Sequence, residues 1–428
     1  MISFQALLLL FIGFAAGLYS AVSSNAYAAI ASLSLISYII LSNYLFEKRL
    51  SGMSVSSERS FSMDKVPVST PVDCKLSLTT RAPLNLKAED ALPTLFTVQG
   101  DAVASGKSPL QLQYTISTGD RGLFDIGPTK LTATDSCGNF YSEKVLDNAG
   151  KLLVYPSLNE VKRYDMQMRR TNRKIKGIRR AVKHGAGTDF LSLRKYLPGD
   201  ELRQIDWKAT ARMQKLMVRT FEAEKKQRVM LLLDTGGLMH SGGEVSMLDC
   251  GINTAVLLSH LSLSRGDMLG FASFSNNLEF YLKPSNNRQN FYRLLEALAK
   301  IRPENKTDFV ASFRSLSPLM KKRSLVIIIS ALKGDSSEVV EAIRLLKAHK
   351  HAVVVIAPFE PWFEELSGDE LVKVVAEGAE EKYWKDLHEV SNRVKRFGVR
   401  VVPVGPEDMM KEGIAKYVQA VNEGLATL

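Results

Sequence analysis

The sequence has few cysteines and lacks the commonest catalytic motifs. Its three cysteines, Cys74, Cys137 and Cys250, are odd in number and far apart, which excludes a disulfide framework and a CxxC metal or redox site. It contains no HExxH metal motif, no GxSxG nucleophile elbow and no GxxxxGK[ST] phosphate loop. This cysteine usage suits a reducing compartment. Because the common catalytic motifs are missing, we predict that the protein is not an enzyme.

Charge is absent from the first 46 residues, which contain no Asp, Glu, Lys or Arg. They form two apolar stretches, Ile2 to Val22 and Tyr27 to Phe46, each long enough to cross a hydrocarbon core of about 30 Å as a helix. A cleaved signal peptide is the alternative, but no basic segment precedes the first stretch and a second stretch follows at once. We predict a transmembrane hairpin over residues 1–50.

Lys48 and Arg49 follow the second apolar stretch. The positive-inside rule holds such residues in the cytoplasm. We therefore predict a protein of the cell membrane with two spans and a soluble body in the cytoplasm.

The charge of the whole chain is basic, with 56 Lys and Arg against 45 Asp and Glu. This balance favours contact with anionic lipid, nucleic acid or an acidic protein without choosing among them. Residues 161–183 hold ten basic residues and one acid, Asp165, and we interpret residues 161–190 as a basic linker. Because Tyr164 is the only aromatic residue of this run, we expect no nucleic-acid partner. The alternative for the run is an electrostatic contact with anionic headgroups or nucleic acid.

Residues 51–160 show short segments of period two. The clearest is Leu110 to Ile116, in which apolar residues alternate with Gln111, Gln113 and Thr115. Such alternation places one face of a strand on a core and the other in water. Turn sequences separate several segments of this kind, and we predict a small β-sandwich domain.

Strand and helix patterns alternate from Arg228 to the end of the chain. The apolar runs Val229 to Leu233 and Leu325 to Ile329 are typical of strands that are buried on both faces. This alternation predicts an α/β fold with a doubly wound, mostly parallel sheet over residues 191–428. Ligands of such sheets bind beyond the carboxyl ends of the strands, here at Asp234 and Ser330.

The segment from Arg194 to Arg212 reads RKYLPGDELRQIDWKATAR, and LMVR and LLLD follow at residues 216–219 and 231–234. This combination resembles the signature of the domain of unknown function 58 family. Residues 120–128, 134–140 and 153–156 are similar to the β-domain that precedes the signature in that family. The resemblance implies a von Willebrand factor A-like, Rossmann-like domain. It also implies a MoxR-type AAA+ ATPase partner, with which such proteins assemble or activate other proteins.

The resemblance further implies a divalent-cation site built from Asp-x-Ser-x-Ser, a later Thr and a second Asp. This sequence keeps Asp234 and Thr307, but Gly236 and Leu238 replace the serines and Ala331 replaces the second Asp. Carboxylates provide most of the binding to hard cations such as Mg²⁺. We therefore predict a degenerate metal-ion-dependent site at Asp234 and Thr307, and no cofactor.

Two alternatives concern this site. In the first, His240, Ser241 or Asp335 replaces the missing cation ligands, but the spacing of these residues gives no support for that role. Asp234 itself is equally explained as a buried carboxylate that caps a helix N-terminus.

The signature segment contains charged and aromatic residues that are typical of interaction hot spots. We select as interaction or signature residues Arg194, Tyr196, Gly199, Asp200, Arg203, Asp206, Trp207 and Arg212. They form either an internal clamp of charge pairs or a surface for a partner.

The sequence thus predicts a membrane-anchored adaptor protein that acts with a MoxR-type ATPase on an unknown client protein. The alternative is a cation-dependent ligand-binding module at Asp234 and Thr307. A hydrolase or nucleic-acid enzyme recruited by the basic run is a third hypothesis, and no catalytic constellation supports it.

Overall fold

The structure is a computed structural model that describes residues 2–23, 25–163, 166, 184–185, 189–198, 200–222, 226–242, 245–303, 306–363 and 370–423. The chain divides into two compact units, Met1–Pro156 and Ser157–Leu428. Most of the basic run predicted as a linker, including Tyr164 and Asp165, lies outside the described residues.

The first unit begins with two apolar helices, α1 (Phe4–Ser23) and α2 (Ala26–Ser51). Asn25 caps α2 by accepting a hydrogen bond from the Tyr27 amide. Both helices are long and apolar enough to cross a membrane, and only 11% and 17% of their most apolar windows are buried. Large apolar side chains therefore face outward along both helices, as lipid contact requires and as a soluble core helix would avoid.

Small residues bring α1 and α2 close together. Ser32 of α2 is buried and donates a hydrogen bond of 2.7 Å to the carbonyl oxygen of Gly13. A Cβ atom on Gly17 would lie 3.0 Å from the Ser32 hydroxyl oxygen. Gly13 and Gly17 are four residues apart, which is the spacing that allows two membrane helices to approach closely.

Three small sheets complete the first unit. Their strands lie in the orders β1-β3-β7-β5, β10-β9-β4-β6 and β2-β11-β8. The strands are β1 (Val55–Phe61), β2 (Lys65–Pro67), β3 (Val72–Thr80), β4 (Asn85–Asp90), β5 (Thr97–Asp101), β6 (Val103–Gly106), β7 (Leu110–Ser117), β8 (Gly122–Ile126), β9 (Thr129–Thr134), β10 (Tyr141–Leu146) and β11 (Gly150–Tyr155).

One apolar core joins the three sheets and the helix pair. It contains Leu76 of β3, Leu112 of β7 and Leu131 of β9, together with Ile39 and Phe46 of α2. The second helix therefore contributes side chains to the core of the β-strands within this unit.

The second unit begins with a three-stranded sheet of order β12-β14-β13, made of β12 (His184–Gly185), β13 (Asp189–Lys195) and β14 (Met217–Glu222). A short helix, α3 (Trp207–Met213), lies between β13 and β14 in sequence. Six strands then form the central sheet: β15 (Arg228–Asp234), β16 (Met268–Phe274), β17 (Leu278–Ser285), β18 (Leu325–Ile329), β19 (Ala352–Pro358) and β20 (Arg400–Val404).

The central sheet has the order β17-β16-β15-β18-β19-β20. All neighbouring strands are parallel except β17, which pairs antiparallel with β16. Helices alternate with these strands: α4 (Met247–Ser264), α5 (Arg288–Lys300), α6 (Phe309–Leu316), α7 (Ser336–Ala348), α8 (Glu370–Lys395) and α9 (Met409–Asn422). The α/β class predicted from the sequence is confirmed.

Helices cover both faces of this sheet. Met230, Val326 and Val355 belong to one apolar cluster with residues of α6, α7 and α8. On the opposite face, α4 and α9 approach the sheet so closely that a Cβ on Gly251 would meet Leu233. Because both faces are covered, the polar groups that remain accessible lie at the two edges where the strands begin and end.

Candidate functional site

Asp234 is the last residue of β15, at the point where the strand order of the sheet reverses. Its side chain is buried, with 4% of the residue exposed. Ser330 follows β18, the strand next to β15, and is also buried. Two neighbouring parallel strands therefore deliver these side chains to the same edge of the sheet.

Three protein groups donate hydrogen bonds to the Asp234 carboxylate. Oδ1 accepts hydrogen bonds from the Thr307 hydroxyl at 2.7 Å and from the Gly236 amide at 2.9 Å. Oδ2 accepts from the Ser330 hydroxyl at 2.6 Å. Burial raises the pKa of Asp234 and the nearby Glu279 raises it further, while the three donors favour the ionised form and oppose that shift.

Thr307 takes the space that a side chain at position 236 would need. A Cβ atom on Gly236 would overlap the Thr307 hydroxyl oxygen and lie 3.1 Å from Asp234 Oδ1. A side chain at position 236 would displace the Thr307 hydroxyl, so the direct Thr307–Asp234 hydrogen bond requires glycine at this position. The structure brings together the two residues predicted for the cation site, and in it they bond to each other.

The position of the second family carboxylate is occupied by Ala331, which is buried. Its carbonyl oxygen accepts a hydrogen bond of 3.1 Å from the Tyr383 hydroxyl. Asp335, considered above as a substitute ligand, instead caps α7 by accepting from the Ser337 amide at 2.9 Å. Among the described residues, no group of three or more His, Cys, Asp and Glu side chains is placed to hold a metal ion.

A second carboxylate, exposed on β17, bonds residues next to Asp234. Glu279 of β17 accepts hydrogen bonds from Thr235 at 2.8 Å and from Ser275 at 2.6 Å. Sequence reasoning placed Ser330 at this edge of the sheet but missed Thr235 and Glu279 as parts of the site. Thr235 directly follows Asp234, which could have indicated it, whereas nothing in the spacing indicates Glu279 on an antiparallel edge strand.

The signature segment contains two internal ion pairs. Both Arg194 terminal nitrogens bond the Asp200 carboxylate, at 2.6 and 2.7 Å, and the Leu197 amide donates to the same group at 2.8 Å. These bonds lower the pKa of Asp200, the Arg194 bond most. The pair therefore closes a turn after β13. Gly199, which we also selected, lies outside the described residues.

Asp206 organises the second half of the segment. Its side chain caps α3 by accepting from the Ala209 amide at 3.0 Å, and it also accepts from Arg219 of β14 at 3.0 Å. The Ala209 bond is the main cause of the lowered pKa of Asp206. Since the Asp206 amide also donates to the Met217 carbonyl at 2.9 Å, α3 is fixed to β14.

Other signature residues point away from this framework. Trp207 is 68% exposed, Arg203 and Arg212 are exposed, and Tyr196 is half-buried. Neither Arg203 nor Arg212 forms an ion pair with a described residue. Large apolar side chains are exposed in the same segment, and we call them with Trp207 the signature surface: Leu197, Leu202, Trp207, Met213 and Leu216.

Residues 192–399 match the family described as "Protein of unknown function DUF58". This part of the chain, just under half of its length, is similar to that family. The match extends to the start of β20 and therefore includes both the Asp234 site and the signature segment. The resemblance inferred from the sequence is confirmed for this part of the chain.

Two curated proteins show segments similar to this chain. "Uncharacterized protein Rv1480" of Mycobacterium tuberculosis strain H37Rv is 26% identical over 188 residues, which are 42% of this chain and 58% of that protein. "Uncharacterized protein YeaD" of Bacillus subtilis strain 168 is 25% identical over 128 residues, 30% of this chain and 32% of that protein. The chain thus spans less than two thirds of the length of each.

Solved structures with local likeness include an aerotolerance-related membrane protein from Bacteroides fragilis, at 15% identity and TM-score 0.32, covering 46% of this chain and 99% of that one. BatB from Bacteroides thetaiotaomicron gives 14% identity and TM-score 0.33 with the same coverage. The vWF domain of the pili tip protein Mfa5 from Porphyromonas gingivalis has 8% sequence identity and a TM-score of 0.33. That match covers 47% of this chain and 97% of the other. None of these TM-scores reaches 0.5, so we draw neither fold nor function from them.

Proposed function

We propose that this DUF58 protein is a membrane-anchored protein-interaction protein, not a catalyst, and that it works with a MoxR-type AAA+ ATPase in assembling or activating other proteins. The observation that carries the proposal is the exposure of Trp207 on a signature segment whose own fold is held by two ion pairs. A segment fixed by ion pairs that presents an exposed Trp, together with Arg residues that form no ion pair with a described residue, is an arrangement typical of binding hot spots.

The signature surface also has a charge preference. Lys195, Arg203, Lys208 and Arg212 are exposed in the same segment against one exposed carboxylate, Glu201, while Asp200 and Asp206 are used in ion pairs. An acidic surface with apolar side chains at its centre would complement it. We therefore propose that the ATPase presents such a surface.

The membrane placement extends the same proposal. Two outward-facing apolar helices support an anchor of two spans, and Lys48 and Arg49 in the last turns of α2 support a cytoplasmic body. The strand order with β15 at the reversal supports a doubly wound, von Willebrand factor A-like sheet. We also propose that the strands of the first unit form the β-sandwich of the family.

The alternative, a cation-dependent binding module, is less well supported. Its two candidate ligands, Asp234 and Thr307, lie together but bond to each other, and the Asp234 oxygens already have three donors. An ion bound by the Asp234 oxygens would compete with these donors. We therefore assign the function to a surface.

A pull-down with a MoxR-type ATPase from the same cell tests the proposal. The full chain in detergent is compared with a double variant, Arg203→Ala plus Trp207→Ala, in which both changed side chains are exposed. A matched control on α5, Arg288→Ala plus Tyr292→Ala, also removes one exposed Arg and one exposed aromatic side chain. Asp234→Asn tests the cation alternative.

We expect the signature double variant to lose at least about ten-fold in ATPase affinity, because hot-spot side chains each contribute about 2 kcal/mol or more. The α5 control and Asp234→Asn should bind as the unmodified protein does. Loss of binding in Asp234→Asn alone would favour the cation module. Failure of the unmodified protein to bind any such ATPase, with or without nucleotide, would exclude the adaptor function.

A further inference from the structure

A basic cavity lies at the opposite edge of the central sheet from Asp234. Its lining includes Arg323, just before β18, Lys350 and His351, just before β19, and Arg400, which begins β20. Lys347 of α7 and Lys416 of α9 complete the cationic lining. Because parallel strands begin at a common edge, residues far apart in sequence converge on this cavity.

The positive charge of the cavity is not balanced by the protein groups described here. Arg323, Lys347 and Lys350 form no ion pair with a described residue. Arg400 lies 3.8 Å from Glu423, the one carboxylate residue in the lining, and Lys416 lies 3.7 Å from Glu412. Five cationic side chains therefore share a small space with one lining carboxylate.

The titration of two lining residues reflects this imbalance. Burial lowers the pKa of Lys347, and the charge of Arg323 lowers it further. Burial also lowers the pKa of His351 to about 4, as do His349 and Lys347, with only the Met320 backbone carbonyl acting in the opposite direction. His351 is thus neutral at neutral pH.

The His351 ring offers a donor in this setting. Its Nδ1 accepts a hydrogen bond of 3.1 Å from the Ser324 amide, which places the proton of the neutral ring on Nε2. His351 is buried, with 1% of the residue exposed, and the Met320 backbone carbonyl near the ring forms no well-aligned hydrogen bond with Nε2 among the described residues. A weakly paired buried donor in the lining of a cavity whose cations mostly have no described carboxylate partner is an arrangement that an anion would complete.

We propose that this cavity binds a phosphate group, carried either by a lipid headgroup or by a soluble phosphate compound. The forked guanidinium groups of Arg323 and Arg400 and the point charge of Lys347 match a multiply charged oxyanion better than a single carboxylate. No Phe, Tyr or Trp side chain lines the cavity to stack on bases, so a single phosphate group fits the site better than a nucleic acid.

Inorganic phosphate is the probe for this site. The full chain, reconstituted in phosphatidylcholine nanodiscs, is titrated with radiolabelled phosphate at constant ionic strength. The test variant is Arg323→Gln plus Lys347→Gln, and the matched control is Lys321→Gln plus Lys322→Gln, two exposed residues outside the lining. Both variants remove two positive charges from the same region, so they differ in the cavity and not in net charge.

We expect the cavity variant to weaken phosphate binding by at least about ten-fold, since two charge-assisted hydrogen bonds to the phosphate are lost. The control should change it by less than about two-fold. In phosphate-free buffer the cavity variant should melt no lower than the unmodified protein, because the repulsion between Arg323 and Lys347 is removed. Equal losses in both variants, or no saturable binding by the unmodified protein, would overturn the proposal.

A second arm distinguishes the sources of the phosphate. Part of the phosphatidylcholine is replaced by phosphatidylglycerol, and the phosphate titration is repeated. Competition by the anionic lipid, seen in the unmodified protein and lost in the cavity variant, assigns the site to a headgroup. Unchanged phosphate affinity assigns it to a soluble phosphate compound.

Discussion

Asp234 stabilises the edge of the central sheet by accepting three hydrogen bonds in a buried position. Alanine at this position would leave the Thr307 and Ser330 hydroxyls and the Gly236 amide without this acceptor. A buried donor without an acceptor costs about 1–3 kcal/mol. Asparagine keeps one acceptor oxygen, and its amide can donate to the Ser330 oxygen.

We therefore expect Asp234→Ala to lower the free energy of unfolding by about 2–4 kcal/mol and Asp234→Asn to lower it by at least about 1 kcal/mol less. Urea unfolding of the full chain in detergent, followed by circular dichroism, measures both values. Equal losses would mean that the hydrogen bonds to Thr307, Ser330 and Gly236 contribute little, and that burial of the side chain alone matters.

The same residue leads to a prediction about metal. A ligand that binds only the folded state stabilises it by RT ln(1 + [L]/Kd), so the thermal midpoint rises appreciably only where the ligand concentration exceeds Kd. Since three protein donors already bond the Asp234 oxygens and Ala331 supplies no carboxylate, millimolar Mg²⁺ should leave the midpoint unchanged relative to an equal ionic strength of KCl. A rise with Mg²⁺ concentration that disappears in Asp234→Asn would show that the ion binds at this carboxylate. Serine at position 236 alone should not restore binding, because its Cβ would overlap the Thr307 hydroxyl.

At the scale of elements, the sequence predicts the second unit well. The apolar runs Val229 to Leu233 and Leu325 to Ile329, predicted as buried strands, correspond in the structure to β15 (Arg228–Asp234) and β18 (Leu325–Ile329). Continuous apolar runs determine these limits locally. Such patterns need no knowledge of the rest of the fold.

Two strands of the first unit escaped prediction because a charge occupies the core side of each. Arg59 of β1 and Asp90 of β4 form a buried, bidentate ion pair with both contacts at 2.7 Å. In the sequence these residues break the apolar alternation that marks a strand. Only the folded chain shows that each residue supplies the partner of the other.

The contact between α1 and α2 leaves little room for a side chain at Gly17. Leucine at position 17 would push against Ser32, because even a Cβ atom on Gly17 would lie only 3.0 Å from the Ser32 hydroxyl oxygen. We expect Gly17→Leu to lower resistance to unfolding in SDS by about 1–3 kcal/mol, the usual cost of overpacking. Ala15→Leu, at an exposed position of the same helix, is the matched control. Equal effects of the two changes would mean that the helices do not depend on this contact.

At the scale of the whole molecule, the helix pair is more than an anchor. We predicted the hairpin (residues 1–50) and the β-domain (51–160) as separate domains, and in the structure both lie within the unit Met1–Pro156. Phe46 stacks on Phe140 with ring centroids 6.2 Å apart, and the Ser3 amide donates to the Asn139 carbonyl at 2.8 Å. These contacts join the helices to a loop of the β-strands, which no local pattern in the sequence indicates.

This shared core decides what a deletion of residues 1–46 will do. The full chain should remain in the membrane through salt and carbonate washes, because two apolar helices of 20 and 26 residues are held by lipid and not by charge. The shortened chain should leave the membrane, but it also loses Ile39 and Phe46 from the core. Loss of a buried Phe alone costs about 3–5 kcal/mol. We therefore expect the released chain to be cleaved rapidly by protease within residues 52–156.

Phe46→Ala in the full chain separates anchoring from packing, since it keeps both apolar helices and removes the ring that stacks on Phe140. It should stay in the membrane through the washes and still show faster cleavage within residues 52–156 than the unmodified protein. If the shortened chain resists protease as well as the full chain does, the helices are a separable anchor and the shared core contributes little. If it stays in the membrane after carbonate, a different part of the chain holds it there.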